Sequence, residues 1–452
     1  MENTLPFKRR IVGFSALASA AVVGVAALLA APPQAIAAPP GDWSKVPAAT
    51  VKLFYPGQSA YEWLLSPEHK RADKQVADGR ACTTCHEKEE ADLGNLLVSG
   101  KKLEPTAIAG KNGVMDLGVQ AAFDADTLYL RFRWKTNMNR PGYVHGYLRF
   151  DGEKWTAYGG PRSDKEVREA KQPPYYEDRL AIMLDDGKVP LFDKQGCWLT
   201  CHNGMADMPG EATRDQIAKH PLFGDAGTKA GDIRKYLGLT RADPRTWDKT
   251  KSAEEIAKLK ADGAFLDLIQ WRSYRSSPVG MADDGYVLEY RLFDEGSNPF
   301  SSNVDRATGR PRFMFDSAKV GTKALTVKDV GDFSKPYALI KEDNVVPFDP
   351  NAGWKKDDVL PGIVLGRADA KGSAADNGNV KGEWKDGFWT VTLARKLDTG
   401  HPKDDKVLKV GGVYTVGLAV HDDSATGRFH HVGFPLTLGI GAKAAIEAVK
   451  VP

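Results

Sequence analysis

The sequence predicts a mainly β protein, folded as an antiparallel β-sandwich. In residues 128–134, 389–393 and 414–420, apolar side chains alternate with polar or small ones. A repeat of two residues is typical of a strand that buries one face. The apolar residues of 429–438 are expected to add a further strand. Gly, Asp and Asn residues separate such segments, and short strands joined by turns favour two packed antiparallel sheets.

A different pattern occurs in the middle of the chain, which we expect to be a partly helical insertion between strands. Helix-like segments lie around residues 212–219 and 252–262. The second begins with Ser252 and Glu255, which have the spacing of a capping box, where each side chain bonds the other residue's backbone N–H. The predicted domains are, in chain order, a signal peptide over 1–37, an N-terminal segment over 38–110, and the sandwich over 111–452 with its insertion at about 196–262.

The N-terminus has the three parts of a secretory signal peptide. Basic residues 8–10 precede an apolar run over 11–31, and the small-residue site Ala35-Ile36-Ala37 follows. We expect cleavage after Ala37 and export through the Sec route to the periplasm, with no membrane attachment afterwards. The alternative is an uncleaved anchor, because about 20 uncharged residues can span a bilayer.

Net charge argues against nucleic-acid or membrane-surface partners. The formal net charge is +3, and it falls close to zero when the signal peptide is removed. A nearly neutral chain has no overall field that attracts nucleic acid or anionic lipid. A charged redox partner would therefore have to dock on a local patch.

Four cysteines occur as two close pairs, and a histidine follows each pair directly. The first motif is Cys82-Thr83-Thr84-Cys85-His86, and the second motif is Cys197-Trp198-Leu199-Thr200-Cys201-His202. The first is the haem c attachment signature, and the second has one extra spacer residue. In such motifs two thiols join the vinyl groups of the haem, and the adjacent histidine supplies an axial nitrogen. The sequence therefore predicts two covalent haem c groups, and non-covalent haem b is not expected.

Two other uses of the cysteines remain open. Four thiols can hold a structural zinc ion, and in an exported protein they can form two local disulfides. Neither use explains why His86 and His202 follow the pairs at once, in a chain with nine histidines. Haem attachment is therefore favoured.

A six-coordinate haem iron needs a second axial ligand, usually His or Met. His69 precedes the first motif by a short stretch of chain, close enough to fold over the same haem. We predict that His69 is the sixth ligand of the first haem. The alternative is an exposed loop histidine.

The sixth ligand of the second haem has several candidates. His430 and His431 begin a strand-like run, and neighbouring side chains of a strand point to opposite faces, so only one of them faces inward. We favour this pair over Met205 and Met208, which follow the second motif closely in sequence. His145, within an alternating segment, is a further alternative.

Several segments resemble the haem-binding domain of ethylbenzene dehydrogenase gamma subunits. Dimethyl-sulfide dehydrogenase and related molybdoenzymes have similar subunits. The segments that carry the resemblance are Phe54-Tyr55-Pro56-Gly57-Gln58, Glu177-Asp178-Arg179, Gly196 to His202, Trp389-Thr390-Val391 and His430 to Pro435. The resemblance implies a β-sandwich that holds a haem and passes electrons in the periplasm. The best-known members bind one b-type haem through Met and Lys, so this chain looks like a c-type dihaem branch.

These observations predict an electron-transfer protein with no catalytic residues of its own. The resemblance implies that it acts freely or as the haem subunit or partner of a molybdenum-containing oxidoreductase, between a redox donor and an acceptor. The alternative is a dihaem redox enzyme such as a peroxidase, which needs one iron with an open sixth position.

Overall fold

The computed structural model of the protein describes residues 39–56, 59–99, 110–138, 140–332 and 334–451. The predicted signal peptide, residues 1–37, lies outside the described residues. In the described part of the chain, no helix combines the length and the apolar composition that a membrane span requires.

Strands make up most of the regular structure. In chain order the strands are β1 Ala48–Phe54, β2 Val114–Phe123, β3 Thr127–Lys135, β4 Tyr147–Phe150, β5 Trp155–Tyr158, β6 Arg179–Asp185, β7 Leu266–Arg272, β8 Gly285–Val287, β9 Arg291–Phe293, β10 Phe300–Ser302, β11 Phe313–Phe315, β12 Leu325–Thr326, β13 Leu339–Ile340, β14 Val345–Pro347, β15 Asp358–Pro361, β16 Ile363–Leu365, β17 Lys381–Lys385, β18 Phe388–Lys396, β19 Val413–His421, β20 His431–Val432, β21 Leu436–Ile440 and β22 Ile446–Lys450.

Helices are short and lie mainly in the first 270 residues. The helices are α1 Tyr61–Leu64, α2 Asp73–Ala77, α3 Thr83–His86, α4 Glu90–Val98, α5 Lys165–Arg168, α6 Phe192–Gln195, α7 Arg214–Lys219, α8 Ala253–Ala261 and α9 Ser317–Val320. Short 3-10 helices are also present, and one of them, Gly196–Thr200, contains Cys197, the first cysteine of the second motif.

The main sheet has thirteen strands in the order β17-β18-β3-β2-β1-β20-β19-β6-β7-β8-β9, with β21 and β22 attached to its middle. β21 pairs with β19, and β22 pairs with both β21 and β2. Strands β1, β2, β22, β21, β19 and β20 therefore form a closed ring. Closure leaves these six strands without a free edge, which is one way that β proteins avoid unwanted pairing.

The two arms that extend from the ring pack against each other through three buried tryptophans. Trp134 on β3 lies opposite Trp389 on the neighbouring strand β18. Both rings contact Trp271 of β7, with centroid separations of 5.8 and 4.9 Å. Gly382 on β17 makes room for this indole, because a Cβ there would lie 2.5 Å from it. Aromatic groups of this size supply much of the core's burial energy.

The prediction of a mainly β fold is confirmed, and the three alternating segments form β3, β18 and β19. The separation into two antiparallel sheets is not established, because the arms belong to one sheet. β22 also pairs in parallel with β2 and with β21. The run 429–438 forms two short strands, since Pro435 between them has no N–H for a ladder hydrogen bond.

The segment 196–262 lies between β6 and β7, which pair with each other in the sheet. It contains α7 and α8, at the positions where helices are predicted. The capping box of Ser252 and Glu255 is confirmed, with both reciprocal hydrogen bonds present. The N-terminal segment contributes β1 to the closed ring, where it pairs with β2.

Candidate functional site

The first motif forms one helical turn. Cys82 precedes α3, which carries Cys85 and ends at His86. Residues three apart on a helix are neighbours, so the two thiols lie on the same side of the turn. The N–H of Cys82 donates to the carbonyl of Lys194 at 3.2 Å, which holds the turn against α6.

A cleft of about 1210 Å³, including its open mouth, lies beside this turn. Both thiols, His86 and His69 line it, and most of its other walls are apolar. Its apolar and aromatic lining includes Phe54, Trp63, Leu64, Val76, Leu93, Leu96, Leu97, Trp198 and Phe434. An apolar cleft with a few convergent polar groups is the usual form of a cofactor site.

The rings of His69 and His86 lie nearly parallel in this cleft. Their centroids are 6.1 Å apart and their planes differ by 18°. In both rings Nδ1 makes the hydrogen bond: His69 Nδ1 to the Leu64 carbonyl at 3.1 Å, and His86 Nδ1 to the Glu89 carboxylate at 2.9 Å. Within the described residues neither Nε2 has a protein partner, so each ring has one nitrogen left to bind a metal.

This geometry fits a covalent haem. A metal–imidazole bond is about 2 Å long, so two imidazoles on opposite sides of one metal have centroids roughly 6 Å apart. Burial lowers the pKa of His69, which favours the neutral ring that a metal requires. The buried indole N–H of Trp63 has no acceptor within the described residues, so a bound group with carboxylates would satisfy it.

The second motif is packed tightly against the sheet. Cys197 is buried on the 3-10 helix Gly196–Thr200. Its Sγ faces β19 at Gly417, where a Cβ would lie only 2.6 Å away. The partly buried Cys201 accepts a hydrogen bond from the ammonium group of Lys235 at 3.0 Å. The two thiols are therefore in different surroundings, one apolar and one beside a charge.

His202 is fully buried and is held from several sides. Its Nδ1 lies 2.7 Å from the carboxylate of Glu62, and its Nε2 lies 3.1 Å from the carbonyl of Leu199. The ring stacks on Tyr236 with a centroid separation of 4.0 Å and an angle of 12°. This site is more closed than the first.

The two contacts of His202 cannot both be hydrogen bonds of a neutral ring, which has a single N–H. With the proton on Nδ1, toward Glu62, the Nε2 lone pair faces the Leu199 carbonyl and gains nothing from it. A carboxylate on the far nitrogen is the common support of a metal-bound histidine. Two thiols and an imidazole supported in this way are the donors that a haem c site uses. In the structure His202 Nε2 faces the Leu199 carbonyl.

His430 and His431 are both buried but differ in their partners. His431 Nε2 is 2.8 Å from the Asn112 carbonyl. His430 Nδ1 is 2.9 Å from the Gly427 carbonyl, and its ring stacks on His421 at 4.4 Å. His430 thus makes its hydrogen bond through Nδ1, the nitrogen through which a metal-bound histidine is commonly supported. In His431, by contrast, Nε2 itself contacts a backbone carbonyl.

The loop before His430 meets the chain that follows the second motif. The Arg428 side chain donates to the carbonyl of Asp207. Asp207 also accepts from Arg162. This contact brings the approach to His430 and His431 next to the insertion.

The other candidates have different contacts. Met205 Sδ accepts the backbone N–H of His202 at 3.1 Å, so Met205 lies beside the motif. Met208 is buried in the apolar cluster of the insertion. The ring of His145 packs on Tyr176 at 4.7 Å, with Nδ1 at 3.6 Å from Glu177.

Sequence reasoning did not single out Glu62 or His421. Glu62 is far from His202 in sequence, and no motif connects them. His421 is the last residue of β19. Its neighbour Val420 faces the main core, so the side chain of His421 points to the opposite face of the strand. A buried Nδ1 without a partner among the described residues marks it in the structure.

Helix α1 and an aromatic cluster connect the two motifs. Consecutive residues of α1 contact both sites: Glu62 bonds His202, and Trp63 packs on His69 at 5.0 Å. Trp198, inside the second motif, lines the cleft of the first. Trp198, Phe54 and Phe434 contact one another at centroid separations of 5.1 to 5.5 Å.

The alternative uses of the cysteines find no support. All four thiols are unpaired. Among the described residues, the groups of three or more clustered ligand atoms contain carboxylates and no thiol. A zinc site made of the two pairs would bring the thiols into one such group.

The chain is similar to known proteins over most of its length. A model of the family described as ethylbenzene dehydrogenase matches residues 41–433. The chain is 30% identical to cytochrome c-552 of Stutzerimonas stutzeri over 417 residues, which are 92% of this chain and 93% of that protein. It is 34% identical to cytochrome c-551 of Rhodocyclus tenuis over 173 residues, which are 37% of this chain and 58% of that protein.

The family match includes both motifs and runs from before β1 to the end of β20. It thus covers the cleft, the insertion and most of the main sheet. The chain belongs to the ethylbenzene dehydrogenase family.

Proposed function

We propose that this protein is an exported electron-transfer cytochrome that carries two covalent haem c groups, one at each motif. The observation that carries the proposal is the facing pair His69 and His86 in the cleft of the first motif. When haem c is bound, these two histidines would ligate its iron, which would supply one-electron chemistry and have no position left for a substrate.

The relatives support the same function. The two similar proteins are named cytochrome c-552 and cytochrome c-551. The first aligns with nearly its whole length, so its name bears on the complete chain. Haem c and electron transport are therefore the simplest inference for this protein.

In the first site, when haem c is bound it supplies a one-electron iron couple. Cys82 and Cys85 would hold its edge, while His86 and His69 would provide axial nitrogens. The Leu64 carbonyl keeps the proton of His69 on Nδ1, as its 3.1 Å contact requires. The apolar walls exclude water, which keeps electrostatic effects on the site strong.

In the second site, Cys197 and Cys201 would form the thioethers and His202 would be the axial ligand. Glu62 orients the ring through Nδ1 and increases its basicity. We assign the remaining axial position to His430, with His431 as the second choice. The chemistry supplied is again a one-electron couple, at a more buried position.

The aromatic contact between the sites supports internal electron exchange. Trp198 belongs to the second motif and lines the first cleft, where it packs on Phe54 and Phe434. These three side chains would therefore lie on the path of an electron that passes between the two sites.

We place the protein in the periplasm, after cleavage of residues 1–37 at Ala37. The mature chain then consists of the N-terminal haem segment 38–110 and the domain 111–452 that includes the insertion. The name of the family suggests a molybdenum-containing oxidoreductase as the partner. If the cytochrome acts alone, its partners would instead be a separate redox donor and a separate redox acceptor.

The second candidate function is a dihaem redox enzyme with one open iron, such as a peroxidase. The observation that favours it concerns the second site: among the described contacts, no histidine ring faces His202 as His69 faces His86. In that case the second iron would lack a protein sixth ligand and would bind a small molecule.

Carbon monoxide binding distinguishes the two functions. The mature protein, made in cells that attach haem c, is reduced and exposed to carbon monoxide, and the haem content is measured by pyridine haemochrome. An electron carrier should contain two c-type haems and show no carbon monoxide spectrum. Carbon monoxide binding at one haem would support the enzyme, and a b-type haemochrome would contradict both.

A further inference from the structure

Away from both motifs, aspartates from separate strands and loops converge in the interior. The five buried members are Asp267, Asp284, Asp294, Asp404 and Asp405. They form two overlapping triads, Asp267–Asp284–Asp405 and Asp294–Asp404–Asp405, and one oxygen from each member lies within 4.8 Å of the others in its triad.

Arginine neutralises only one side of this cluster. The guanidinium of Arg395 is 2.6 Å from Asp267 and 3.7 Å from Asp405. Among the described residues, no Lys or Arg nitrogen lies within 4.0 Å of Asp284, Asp294 or Asp404. Among the described residues, the triad Asp294–Asp404–Asp405 therefore has three buried carboxyl groups and one ion-pair contact, that of Arg395 with Asp405.

The ammonium group of Lys406 is directed elsewhere. It bonds Asp185 and Asp186, at 3.3 and 2.5 Å. Only its backbone N–H reaches the cluster, where it donates to Asp267. Among the described residues, the Lys406 ammonium group thus makes no ion pair with Asp294, Asp404 or Asp405.

Asp294 is the residue that points to a ligand. Its side chain is 5% exposed, and neither carboxylate oxygen has a hydrogen-bond partner within the described chain. A buried carboxylate without donors is costly, because it loses hydration and gains nothing in return. Burial, followed by the neighbouring Asp405, raises its pKa to about 9.

Its two partners are already oriented. Asp404 accepts from the Ser373 hydroxyl at 2.9 Å and from the N–H of Glu295 at 3.2 Å, both through Oδ2. Asp405 accepts from the Thr399 hydroxyl at 2.5 Å through Oδ2, and its Oδ1 has no hydrogen-bond donor. The Oδ1 of Asp405 faces the Arg395 guanidinium at 3.7 Å, and the hydrogen bonds to Oδ2 fix both carboxylates in the way that supporting contacts fix metal ligands.

We propose that Asp294, Asp404 and Asp405 form a calcium site. Hard divalent cations prefer carboxylate oxygens, and the triad has no nitrogen or sulfur donor that would select zinc or copper. Calcium accepts several carboxylates in flexible geometry, whereas magnesium keeps most of its water and takes one or two. The ion would join the end of β9 to the loop between β18 and β19.

Calcium bound at this place stabilises the folded protein, because the unfolded chain does not bring the three carboxylates together. The test uses the mature holo-cytochrome after treatment with EDTA. Calorimetric titration with CaCl2 should give one bound ion per chain. The thermal midpoint should rise by several degrees in millimolar CaCl2 and less in the same concentration of MgCl2.

Asp294→Asn is the matched variant, since the amide keeps the size of the side chain. It should abolish calcium binding and the rise in midpoint, while its midpoint in EDTA should stay near that of the wild type because the amide has the same size and introduces no charge. Asp404→Asn should also abolish binding. Asp225→Asn, at an exposed aspartate, should behave as the wild type.

The proposal is overturned if CaCl2 neither binds to the wild-type protein nor raises its thermal midpoint. It is equally overturned if Asp294→Asn binds calcium as the wild type does. Haem content and the haem spectrum are measured in parallel and should be unchanged in every variant. A failure of the calcium site is therefore distinguishable from a failure of the proposed electron-transfer function.

Discussion

The carboxylate of Glu62 lies 2.7 Å from Nδ1 of His202, although 140 residues separate them in sequence. The second carboxylate oxygen accepts the N–H of Asn203 at 2.8 Å. The two contacts fix helix α1 to the second motif, and the next residue, Trp63, packs on His69. One turn of helix therefore contacts both His202 of the second motif and His69 in the cleft of the first.

Replacement of Glu62 by Gln should raise the reduction potential of the second haem. A carboxylate on Nδ1 makes the ligand more basic and stabilises the ferric state, and the amide removes this charge. We expect a rise of tens of millivolts, where about 59 mV corresponds to a tenfold change for one electron. A spectroscopic redox titration measures it.

Glu68→Gln is the control for this experiment. Glu68 is exposed near the first cleft, and its replacement removes the same charge without touching the bond to His202. The second potential should then stay near the wild-type value. Equal shifts in both variants would show that the effect is one of overall charge and not of the bond.

His69→Ala should open the first iron. The cleft would retain His86 on one side only, so the iron becomes partly high-spin and binds carbon monoxide after reduction. Absorbance and electron paramagnetic resonance spectra report the spin state. His401→Ala, at an exposed histidine, should leave both spectra unchanged, and a low-spin His69→Ala protein would assign the sixth ligand to another residue.

Alanine at His430 and at His431 should affect the second haem differently. His430 has Nδ1 on a backbone carbonyl, and its loop contacts the insertion, whereas His431 Nε2 is bound to Asn112. We expect loss of the low-spin spectrum of one haem in His430→Ala and a nearly normal spectrum in His431→Ala. The reverse result would assign the ligand to His431, and two normal spectra would leave His421, Met205, Met208 or His145.

Gly417→Ala should disturb the second motif from the sheet side. The new Cβ would lie 2.6 Å from Cys197 Sγ, and such overpacking costs about 1–3 kcal/mol. We expect a lower unfolding midpoint and reduced haem attachment at the second motif. Gly118→Ala, another strand position, meets its nearest atom at 3.5 Å and should have little effect on either quantity.

The sequence allowed the strands and the motifs to be predicted because their signals are local. Alternation in residues 128–134 reflects a strand that buries one face, and the Ser252–Glu255 pair forms its capping bonds within one turn. His69 was identified by its short separation from the first motif. The structure brings its ring to 6.1 Å from that of His86.

The features that could not be predicted depend on distant parts of the chain. Closure of the ring requires the C-terminal β22 to pair in parallel with β2, and no short pattern encodes that register. The bond between Glu62 and His202 and the convergence of Asp294 with Asp404 also join residues that are far apart in sequence. No periodic pattern links such residues, so their contacts cannot be inferred from the sequence.

The intact mass of the mature protein tests the central claim most directly. The wild type is compared with two variants, one with Ala at Cys82 and Cys85 and the other with Ala at Cys197 and Cys201, all made in cells that attach haem c. The account predicts a mass two haems above the polypeptide for the wild type and one haem above it for each variant. A wild-type mass with a single haem, or with none, would contradict it.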